Sequence, residues 1–149
     1  MVLRWILAAL HLLALGIGFG AVVARAGALR GDLARDLGRV FRADNAWAAA
    51  AALWIATGLL RAFAGFEKGT AYYVGNVWFW HKMALLGIVL ALEVVPLVTL
   101  IRWRLAARRG LAIDLGRARL LARISIAQGV LVVAMVFLAS GMARGFGAR

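Results

Sequence analysis

The chain has 149 residues, 65% of them hydrophobic and 16% charged, with no cysteine and a formal net charge of +12. An ordinary soluble domain carries nearer half apolar and a quarter charged residues, so a water-soluble globule is excluded. The missing thiols exclude a disulfide scaffold, a zinc finger and an iron–sulfur cluster. The basic surplus would point to nucleic acid if it formed one soluble face. It falls instead between apolar runs, and no nucleic-acid partner is expected.

Four stretches reach the length of about 20 mostly apolar residues that crosses a bilayer: 2–24, 46–63, 74–101 and 124–143. They predict an all-α fold, a polytopic four-transmembrane-helix bundle that occupies residues 1–149 as one domain embedded in a lipid bilayer.

The first span carries His11 about nine residues in, and Gly16 with Gly20 at the four-residue spacing of a close helix contact. Ala24-Arg25-Ala26 resembles a signal-peptide cleavage site, but the apolar run is longer than a signal core and contains a histidine, so it is read as a retained helix. The connection that follows holds Arg25, Arg30, Arg35, Arg39 and Arg42. Within 28–42, Leu29, Leu33, Leu37 and Phe41 recur every four residues opposite the i,i+3 pairs Asp32–Arg35 and Asp36–Arg39. That pattern predicts an amphipathic helix lying on the membrane surface. Asp44 is placed to cap the second span, whose Ala48, Ala52 and Ala56 form a small-residue face.

Tyr72, Tyr73, Trp78, Phe79 and Trp80 gather where the third span begins, as an interfacial aromatic belt does. His81 and Lys82 follow, and Glu93 stands three residues before Pro96, which is expected to kink the helix. Arg102, Arg104, Arg108, Arg109, Arg117, Arg119 and Arg123 then fill the second long connection. In the fourth span, Ser125 and Gln128 lie at a depth similar to Glu93, which predicts a buried polar cluster.

Arginine crowds the two long connections, whereas the opposite side receives Arg4, Arg61, Lys68, Arg144 and Arg149. The positive-inside rule therefore places the connections in the cytoplasm and both termini outside, in the periplasm if the host is Gram-negative.

Ionisable side chains inside a span cost at least about 2.5–3.5 kcal/mol at mid-bilayer, so His11, His81, Lys82 and Glu93 are functional candidates. The two histidines lie at one depth on different helices, as in bundles that hold a haem between imidazoles; neighbouring backbone or water would satisfy them equally. Lys82 points about 100° away from His81 and either holds a substrate carboxylate or snorkels outward. Glu93 either handles protons or, kept neutral, pins two helices together.

Leu10-His11-Leu12-Leu13-Ala14, Asp44-Asn45-Ala46-Trp47, Thr57-Gly58-Leu59-Leu60-Arg61, Glu67-Lys68-Gly69 and Phe79-Trp80-His81-Lys82-Met83-Ala84-Leu85 resemble a bacterial membrane-protein family, domain of unknown function 2214. A more distant similarity is to CopD-like four-helix membrane proteins, including HemJ-type protoporphyrinogen oxidases that bind haem b. Ala9-Leu10-His11 matches their first-helix motif. In the third helix their histidine stands two residues before the lysine, and Trp80 occupies that position here. The resemblance implies haem b or porphyrin handling, with His11 as an iron ligand and Lys82 at a propionate, and the shared depth adds His81 as a second ligand. Two alternatives stand beside it: an accessory or assembly subunit that docks to other membrane subunits or to a second copy, and a small proton-linked transporter using Glu93. No phosphate-binding glycine loop, nucleophile elbow or metalloprotease motif is present, so hydrolytic and phosphoryl-transfer chemistry is not expected.

Overall fold

A computed structural model describes residues 1–147, the side chains of Ala34 and Asp36 excepted. Five helices follow one another: α1 (Val2–Ala28), α2 (Leu33–Phe63), the short α3 (Thr70–Val74), α4 (Val77–Arg108) and α5 (Ala118–Ala143). All but α3 contain a window long and apolar enough to cross a membrane. Large apolar side chains such as Leu12, Ile17, Val94, Val130 and Phe137 stay exposed on their flanks, as a surface solvated by lipid allows. Four crossings put both termini at one end of the bundle, here the terminal end. The arginine-rich connections occupy the other, the arginine end.

The helices outrun the spans counted from hydropathy, because arginines at their ends lower the apolar score without breaking the backbone pattern. One expectation is corrected outright. Residues 33–42 form no separate surface helix but the first turns of α2, continuous to Phe63. Neither proline nor a positive-φ residue interrupts that stretch. Its leucines also pack inward. Leu33, Leu37 and Phe41 lie against the core cluster of Leu29, Val40, Leu100, Trp103 and Leu121, which closes the arginine end. Asp32 does pair with Arg35, at 3.7 Å on the surface. The expected Asp36–Arg39 pair and Arg149 lie outside the described residues.

The turn from α1 to α2 is only four residues long, 29–32. Gly110, at φ 65°, ends α4 in the left-handed conformation that glycine takes without strain. At the other end of α4, the Asn76 side chain caps the helix by accepting from the backbone N–H of Trp78 (2.9 Å) and Phe79 (3.3 Å). Val74 therefore belongs to α3 and not to the third span. Pro96 is buried within α4, which continues through it.

Helix α1 packs along both α2 and α5, and α4 packs along α5. The close approach of α1 to α2 is made by Gly18, where a Cβ would meet the Cβ of Ala50 at 3.4 Å. This corrects the small-residue reading. Gly16 and Gly20 face open space, Ala48, Ala52 and Ala56 are exposed, and Gly18 makes the contact with Ala50 and Trp47. The spacing was seen, but on the wrong face.

Candidate functional site

Two polar features occupy the interior, one above the other along the bundle axis. Nearer the arginine end is a network centred on Arg25, which lies inside α1 with its side chain fully buried. A guanidinium carries five N–H donors, and all five are used. Nε donates to Ser125 Oγ at 3.0 Å, one terminal nitrogen to Asp44 Oδ1 (2.7 Å) and Glu93 Oε1 (2.8 Å), the other to Glu93 Oε2 (2.9 Å) and Gln128 Oε1 (2.8 Å). The Arg25–Glu93 pair is thus bidentate, the strongest geometry open to the two groups. Gln128 Nε2 in turn donates to Glu93 Oε2 at 2.7 Å and to the Val89 carbonyl at 3.2 Å. The second oxygen of Asp44 accepts from Arg104 at 2.7 Å. Two arginines therefore balance two carboxylates. The four long helices each supply at least one member.

The sequence-predicted cluster of Glu93, Ser125 and Gln128 is brought together, but its organising residue was missed. Arg25 had been counted with the connection, and Asp44 is no cap: it sits well inside α2 and binds two arginines. One signal was available. Ala26-Gly27-Ala28-Leu29 continues the apolar pattern past Arg25, and two carboxylates beside apolar runs require a cation.

The second feature is a vestibule of about 400 Å³ in the terminal half of the bundle. His11 and Leu12 from α1, Trp54, Gly58 and Arg61 from α2, Tyr72 and Tyr73 from α3, Phe79, Lys82 and Leu86 from α4 and the last turns of α5 line it. Arg61 pairs with Glu67 at 3.0 Å, and Lys68 lies 4.4 Å from the centre of the Tyr72 ring. Tyr72 donates to the Met142 carbonyl at 2.6 Å, fastening the α2–α4 connection across the end of α5. Burial and then the charge of Glu67 push the Tyr73 phenol above the ordinary tyrosine value.

Lys82 reaches across the vestibule, with its ammonium 5.8 Å from the centre of the Trp54 ring. Among the described residues it forms no ion pair and no hydrogen bond. The Trp54 indole N–H is also buried without an acceptor. Three cations line the vestibule, Arg61, Lys68 and Lys82, against one carboxylate, Glu67.

The two histidines part company. His11 holds a hydrogen bond between Nδ1 and Thr57 Oγ1 at 2.9 Å, stacks on Trp54 at 5.6 Å between centroids and is wedged against Gly58, where a Cβ would meet its Cε1 at 3.1 Å. His81 is exposed, bonds the Val77 carbonyl through Nδ1 at 2.9 Å and lines a different cleft, between α4 and α5 with Trp78, Phe137 and Arg144. The 100° step from Lys82 accounts for this: one side chain enters the vestibule and the other leaves the bundle. A porphyrin clasped between these two imidazoles does not fit the arrangement. Among the described residues no group of three His, Cys, Asp or Glu side chains could hold a metal ion.

No curated protein and no solved structure matches the chain. The more distant HemJ-type similarity accordingly rests on the motif residues alone. The sequence model of one family, described as "Predicted membrane protein (DUF2214)", covers residues 3–147. With nearly its whole length matched, and with four helices able to span a bilayer, the chain belongs to that family of predicted membrane proteins of unknown function.

Proposed function

We propose that the vestibule binds an amphipathic anion, a ligand with an apolar body and a carboxylate or phosphate head, in a bacterial inner membrane with the arginine end toward the cytoplasm. The observation that carries this reading is Lys82, an ammonium inside a span that forms no ion pair among the described residues, the vestibule's one carboxylate, Glu67, being held by Arg61. An intramembrane charge is costly and ordinarily pairs or lines a polar pathway. The surrounding Arg61 and Lys68 add to the positive potential, the orphan Trp54 N–H supplies a neutral donor, and the aromatic walls suit an apolar body.

Haem b is a planar member of this ligand class, with His11 as its single imidazole and Lys82 at a propionate; acyl anions are a linear member. By contrast, Glu93 is engaged by Arg25 and Gln128, which favours helix pinning over proton carriage.

The test is equilibrium binding to the protein in nanodiscs, with empty discs subtracted, using a radiolabelled long-chain alkanoate and, separately, haem followed by its Soret band. Saturable binding of either, weakened about tenfold in Lys82→Gln and restored by Lys82→Arg, is the expected result, since a hydrogen bond to a charged group contributes about 1.5–3 kcal/mol. Equal binding by wild type and Lys82→Gln would refute it.

A further inference from the structure

Beneath the vestibule lies a second, narrower cavity of about 120 Å³, and the two share four wall residues: Leu15, Trp54, Ile55 and Leu86. We infer that the ligand of the vestibule is a long-chain anion whose tail threads past Trp54 into this slot. The inference rests on the anion-binding reading above and deepens it.

The slot is built by absence of side chain on one wall and by branched side chains on the other. Ala14, Gly18, Ala48 and Ala51 leave room on α1 and α2, while buried Val89 closes the α4 side and half-exposed Leu90 forms its rim. Its only ionisable walls are Asp44 and Glu93, whose oxygens are turned to Arg25, Arg104 and Gln128, so little polar character faces the space.

Volume chooses the shape. At about 30 Å³ for a water-sized group, the slot admits about four such groups in file, which suits the end of a chain. The larger vestibule takes the head and the first part of the chain. A slot of about 120 Å³ has no room for a macrocycle. A tail moving from bilayer to slot exchanges one apolar surrounding for another, so the head at Lys82 supplies the affinity and the slot selects the body.

Positional photolabelling tests this on the full chain in nanodiscs of zwitterionic lipid. Two alkyne-tagged hexadecanoates are used, one with a diazirine on the terminal carbon and one with it beside the carboxylate. The terminal probe is expected to label Val89 and Val132, buried walls of the slot, in competition with unlabelled hexadecanoate, and the head probe to label the vestibule. Ala51→Leu, which fills the slot alone, is expected to cut the terminal label about tenfold and to leave the head label, whereas Ala49→Leu on the exposed side of α2 changes neither. Terminal label spread over lipid-facing Val94 and Phe137, or unchanged in Ala51→Leu, would overturn the inference while the vestibule reading stands. Loss of saturable head label in the wild type would overturn the anion-binding reading itself.

Discussion

Replacing Arg25 by alanine exposes how the bundle is held together. The guanidinium is fully buried, and its removal strands the Glu93 carboxylate with Gln128 as its remaining donor, while Ser125 Oγ and Gln128 Oε1 each lose the donor they accept from. Asp44 is less affected because Arg104 still holds its second oxygen at 2.7 Å. Breaking a buried ion pair from one side costs about 3–5 kcal/mol, so the folded-to-unfolded ratio of Arg25→Ala should fall by roughly two to three and a half powers of ten. The same physics makes a sharper prediction about the double variant Arg25→Leu with Glu93→Leu. With both charges gone and their volume partly kept, no unpaired ion remains, and apolar replacements of buried pairs are often neutral or stabilising. The double variant should recover most of what the single one loses. The assay is reversible unfolding of the purified protein in mixed micelles with increasing dodecyl sulfate, followed by far-ultraviolet circular dichroism. A single variant within 1 kcal/mol of wild type, or a double variant less stable than the single, would refute the argument from buried charge pairing.

Other expectations follow from individual contacts. Arg104→Ala should cost only about 1 kcal/mol by the same assay, because its side chain is a quarter exposed and Arg25 continues to hold Asp44. Gly18→Leu should destabilise by about 1–3 kcal/mol by forcing α1 from α2, whereas Gly16→Leu and Gly20→Leu, which face open space, should stay within about 0.5 kcal/mol of wild type. Gly141→Ala should destabilise because the Trp78 ring occupies the space of the added Cβ, and Trp78→Leu in the same chain should relieve much of that loss in thermal unfolding.

How much of this was legible in the sequence depends on whether a feature is local. The spans were, since about 20 apolar residues announce themselves in one dimension. So was the meeting of Glu93 with Ser125 and Gln128, because depth along a helix is countable from its rise. The place of Arg25 was not. Hydropathy counting ends an apolar run at an arginine, and the cost of burying that arginine is offset by groups on three other helices that the run does not display. Angular position was the second blind spot. Counting residues put His11 and His81 at one depth, but the rotation of α4 against α1 decides whether two imidazoles at one depth face each other, and here they open on different clefts. The same ambiguity let a four-residue glycine spacing mark the open face of α1, with Gly18 making the contact instead. The amphipathic pattern of 28–42 was real, but its apolar face found α4 and α5 before it found lipid.

Native mass spectrometry of the wild type and of Lys82→Gln, released from detergent without added ligand, tests the central proposal most directly. The account predicts that wild type carries an anionic amphiphile as a discrete mass adduct that survives mild activation, that Lys82→Gln loses it, and that the change leaves circular dichroism untouched. Wild type and Lys82→Gln carrying the same adducts in the same proportion, or wild type carrying none even after an alkanoate or haem is supplied, would contradict it.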